Sequence, residues 1–67
     1  MSLVDKEILA SILFYYHHRQ QLVPAYRGRY LLFYQDVMLG DFSSWADAYR
    51  QGFQLLQHPR FFVKYCQ

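Results

Sequence analysis

The 67-residue chain has room for one hydrophobic core, because the fraction of surface buried falls with chain length and two cores cannot be supported here. With one cysteine, Cys66, no internal disulfide can form and the paired-cysteine zinc spacings are absent, so a reducing, cytoplasmic setting is expected. The formal charge of +2, spread over seven Lys and Arg, is far from the dense clusters of committed nucleic-acid binders, while an aromatic share of 21% supplies the large buried areas a small core needs.

Ser2 followed by Asp5 forms a weak capping box, and Asp5 with Glu7 places negative charge at a helix start. Val4, Ile8, Ile12 and Tyr15, with Leu9, Leu13 and Tyr16 beside them, recur at helical spacing and predict one broad apolar stripe covering a surface. Pro24 is expected to end this helix, which spans 3–22, with His17, His18 and Arg19 complementing the dipole in its last turns. The apolar stretch from Ile8 to Tyr16 is too short to cross a membrane and lacks the form of a signal peptide.

Next, Arg29 to Tyr34 reads as a strand bounded by Gly28 and Gln35-Asp36. Its alternating sets, Leu31 with Phe33 and Tyr30 with Leu32 and Tyr34, are both apolar, as in a central strand covered on both faces. A turn at Gln35-Asp36 leads into Val37 to Phe42, giving a hairpin over 28–42. Ser44, three residues before Asp47, offers an N-cap for a helix over 44–57 whose Trp45, Tyr49, Gly52, Phe53 and Leu56 share a face. Gly52 on that face signals close approach of helix and sheet, since glycine costs about 1 kcal/mol against alanine in a helix. Pro59 closes the helix, and a third strand over 60–66 follows. A right-handed crossover returns it beside the first strand. The expected fold is therefore α+β, in the order helix, hairpin, helix, strand, with a three-stranded antiparallel sheet of order 2-1-3.

From Tyr26 to Cys66 the motifs Tyr26-Arg27-Gly28-Arg29-Tyr30-Leu31, Leu39-Gly40-Asp41-Phe42, Asp47-Ala48 and Pro59-Arg60-Phe61-Phe62-Val63-Lys64 occur in one order. In this the segment resembles a family of small, uncharacterised prokaryotic ββαβ domains. The resemblance implies a ββαβ core and brings no activity with it.

No motif carries catalysis. His17, His18 and His58 lack metal-ligand spacing, since adjacent helical residues point about 100° apart and no His, Cys, Asp or Glu stands four residues from either of the first two. Cys66 reads as a small buried hydrophobe on the face of Phe62 and Lys64. Ser43 and Ser44 read as helix caps, Ser11 lacks a nucleophile elbow, and the five acids fall at helix starts and strand ends. No enzyme, cofactor or metal is therefore expected.

Two readings of function follow. The aromatics exceed what one small core hides, which points to a non-enzymatic interaction or structural module, expected as a homodimer or bound to another protein, with Tyr15, Tyr16, Tyr30 and Tyr34 at the contact. The alternative is a single-stranded nucleic-acid-binding module. The run from Arg27 to Tyr34 is similar to the basic-Gly-aromatic strand of an RNA-recognition sheet, and Arg27, Arg29, Tyr30, Tyr34 and Lys64 would carry the binding.

Overall fold

A computed structural model describes residues 6–67. Its elements follow the order α1 (Lys6–Tyr26), β1 (Tyr30–Tyr34), β2 (Val37–Phe42), α2 (Trp45–Leu56) and β3 (Phe62–Tyr65). The proposed cap at Ser2 with Asp5, the apolar Val4 and the expected helix start at residue 3 lie outside the described residues.

The three strands form one antiparallel sheet in the order β2-β1-β3, as the two-faced pattern of β1 required. Leu31, Leu32 and Phe33 in its centre are wholly buried. Because neighbouring strand residues point to opposite faces, they feed two layers. Leu31 and Phe33 join Tyr15 of α1 and Cys66 in the main cluster, flanked by Phe14, Leu22, Val23, Tyr26, Met38 and Phe62. Leu32 points the other way, towards Gly52 of α2 and Phe61. The sheet is thus held between two helices, and α1 of the same chain covers its second face.

Two local features set these layers. A Cβ at Gly52 would stand 2.8 Å from the Phe61 ring and 3.0 Å from Leu32 Cδ1, so the glycine is what lets α2 approach the sheet. Ser44 caps α2 by accepting a hydrogen bond from the Asp47 amide at 3.1 Å, and Gln57, in the left-handed region at φ 62°, closes it by donating to the Phe53 carbonyl. Ser43 is not the cap.

Helix α1 departs from expectation in length and in orientation. It runs through Pro24 to Tyr26 instead of stopping at 22. Proline withholds one amide and crowds the carbonyl four residues back, that of exposed Gln20, which water can satisfy at the helix surface. Packing of Tyr26 on the core, and the Arg29 amide bonded to the Tyr26 carbonyl at 2.9 Å, hold the extra turn in place. Consequently His17, His18 and Arg19 lie mid-helix, and the last turn contains no basic residue. A dipole role for them is set aside.

The single broad stripe expected of α1 is instead two faces. Ser11 and Tyr15 are wholly buried, and Ile8 and Ile12 are half-buried. Leu9, Leu13 and Tyr16 point outward. Ser11 can occupy the buried side because its hydroxyl donates to the Glu7 carbonyl at 3.0 Å. On α2 the covered face is also narrower than expected: Ala48 and Gly52 are its buried centre, while Trp45 and Phe53 are exposed.

Candidate interaction surface

At about 100° per residue, Leu9, Leu13 and Tyr16 fall within about 60° of one another on the side of α1 turned from the sheet. Their exposures are 43%, 59% and 58%. Beside them runs an open groove of about 580 Å³, lined by Ala10, Leu13, Phe14, Tyr16, His17, His18 and, from the hairpin turn, Asp36. The Phe14 and His18 rings pack at 4.4 Å and the His17 and His18 rings at 4.9 Å, fixing the groove wall. The surface is apolar in the middle with polar groups at one side, the composition of a contact patch.

The four tyrosines expected at an interface do not converge there. Tyr15 is wholly buried and belongs to the core, because its ring packs edge-on against Phe33 at 5.9 Å beneath Lys64 Nζ. Tyr30 is half-buried on the α2 side of the sheet, its ring 4.9 Å from that of Tyr65. Tyr34 donates to Glu7 Oε2 at 3.4 Å and packs near His58 at 5.5 Å. Tyr16 alone lies on the outward stripe. Leu9 and Leu13 stand beside it there, although the pattern of the sequence places all three within one covering stripe. The available signal was the width of the pattern: a helix apolar all round needs more than one surface to bury it.

The residues named for nucleic-acid binding are dispersed as well. Arg29 is paired with Asp41 at 2.9 Å, and Lys64 lies on the α1 side with its ammonium 5.7 Å from the Tyr15 ring centre. Tyr30 faces α2, Tyr34 is tied to Glu7, and Arg27 is exposed beyond the end of α1. A base-stacking sheet needs an open aromatic face. Here α1 covers one face, and on the other α2 leaves Tyr30 half-buried beside a Tyr65 that is 40% exposed.

Several other polar groups make structural contacts. Arg60 Nε donates to Glu7 Oε2 at 3.1 Å, joining the segment before β3 to the first turn of α1. Arg19 donates to the Gln67 carbonyl at 2.8 Å. Cys66 is buried, its thiol 3.7 Å from the Leu22 carbonyl. Among the described residues, no group of three or more His, Cys, Asp or Glu is placed to hold a metal, and no helix is long and apolar enough to cross a membrane. One buried polar atom, the Tyr15 hydroxyl, has no hydrogen-bond partner among the described residues.

The fold defines the chain as a small α+β domain whose three-stranded antiparallel sheet lies between two helices. Compared with known proteins, the chain matches no family model, no curated protein and no solved structure.

Proposed function

We propose that this chain is a non-enzymatic interaction module that self-associates through the outer face of α1. One observation carries the reading: a helix already committed to the sheet on one side exposes Leu9, Leu13 and Tyr16 in line on the other. Isolated exposed apolar side chains are ordinary, but a continuous stripe of large ones beside a groove is the mark of a contact surface. Its removal from water is the driving force, at roughly 25 cal/mol per Å² of apolar area.

The non-enzymatic part rests on the positions of the reactive groups. Cys66 is buried, Ser44 caps a helix, Ser11 bonds its own helix, and Glu7 is held by Arg60. A single buried thiol also suits a reducing compartment, and we assign the chain to the cytoplasm on that ground. Sedimentation equilibrium across a concentration series tests the reading. Weight-average mass is expected to climb from monomer toward dimer as the concentration is raised. A constant monomer mass throughout would sink it.

A further inference from the structure

We infer that the second copy docks antiparallel, on a twofold axis passing beside Leu13, so that Leu13 meets Leu13 and Leu9 meets Tyr16 of the second copy. The inference rests on the self-association reading above and specifies its geometry.

The order of side chains along the outward stripe carries it. Counting from Leu13, the stripe runs to apolar Leu9 and polar Lys6 in one direction, and to apolar Tyr16 and polar Gln20 in the other. The offsets are four and seven residues on one side, three and seven on the other. These are the alternating three- and four-residue steps of a helix–helix seam. Such a stripe has nearly the same polarity pattern read in either direction, so a copy of itself turned end for end matches it along its whole length. An isologous contact of this kind is self-complementary and closes at two copies.

Charge selects the antiparallel arrangement. In a parallel pair the two Lys6 ammonium groups would face each other, and like charges that close on paired helices repel. Turned end for end, they are separated by fourteen residues of helix, about 21 Å at about 1.5 Å per residue, and each lies against Gln20 of the other copy. The same twofold keeps each flank of the stripe against the identical flank of the second copy.

Cysteine cross-linking of the full chain tests the geometry. Leu9, Leu13 and Tyr16 are exposed, so single changes there leave the core untouched, and native Cys66 is buried away from oxidant. Under mild oxidation Leu13→Cys is expected to form a covalent dimer by itself. Leu9→Cys and Tyr16→Cys are each expected to link at least tenfold more slowly alone, and to link to one another when mixed. Self-linking of Leu9→Cys as fast as that of Leu13→Cys would overturn the antiparallel arrangement. A sample shown by sedimentation to be dimeric in which Leu13→Cys does not link would overturn this geometry while leaving self-association standing. A monomer by sedimentation removes both.

Discussion

Tyr15 and Tyr16 are adjacent in α1, their rings edge-on at 5.1 Å, yet one is wholly buried and the other is 58% exposed. The boundary between core and exposed surface therefore runs between consecutive residues. On the inner side the aromatic ring completes the cluster with Leu31, Phe33 and Cys66; on the outer side it extends the line begun by Leu9 and Leu13.

The buried tyrosine has a testable weakness. Its hydroxyl is buried without a partner among the described residues, and leaving such a group unpaired costs about 1–3 kcal/mol. Tyr15→Phe keeps the ring and removes the oxygen, so urea denaturation is expected to show stability unchanged or raised by about 1 kcal/mol. A loss of more than about 1 kcal/mol would mean that the hydroxyl is bonded.

Gly52 lies where two effects of opposite sign compete. Alanine gains about 1 kcal/mol of helix propensity. Its Cβ, however, would stand 2.8 Å from the Phe61 ring and 3.0 Å from Leu32, so α2 or the ring must move. Overpacking of this kind costs about 1–3 kcal/mol, and Gly52→Ala is expected to be net destabilising in thermal or chemical denaturation. A stabilised variant would show that α2 can slide at no cost.

Ser44→Ala removes the oxygen that accepts from the Asp47 amide. A lost N-cap of this type costs about 1 kcal/mol, and the loss is expected in the folding free energy with little change in the circular dichroism of the native state. An effect below about 0.3 kcal/mol would mean that water replaces the cap fully.

The strands were readable in the sequence because β1 is apolar at both alternating sets, which fixes it as the middle strand before any pairing is known. Ser44 and Gly52 were readable for local reasons, a cap at its usual spacing and a glycine where a helix has no need of one. The limits of α1 were not. Proline is a helix terminator by local chemistry, but Tyr26 packs on the core two residues beyond Pro24 and outweighs it. Nor could periodicity assign the faces of α1: Ile8, Leu9, Ile12, Leu13, Tyr15 and Tyr16 give a pattern without a single phase. Small, polar Ser11 marks the close approach to the sheet, and its self-contained bond to Glu7 is invisible in a hydropathy pattern. For the same reason periodicity does not separate buried Tyr15 from exposed Leu9, Leu13 and Tyr16 within the one broad stripe.

The outer face of α1 is tested most directly by sedimentation of the wild-type chain beside Leu13→Glu. Leu13 is 59% exposed, and surface substitutions ordinarily change stability by no more than about 0.5 kcal/mol, so at a concentration low enough for the wild type to be monomeric the variant is expected to unfold at the same urea concentration. Two carboxylates facing each other at the axis should abolish pairing. The expected result is wild-type mass that rises with concentration and a Leu13→Glu variant that stays monomeric. A wild type that is monomeric throughout, or a variant that dimerises as well as wild type, would contradict a contact centred on Leu13.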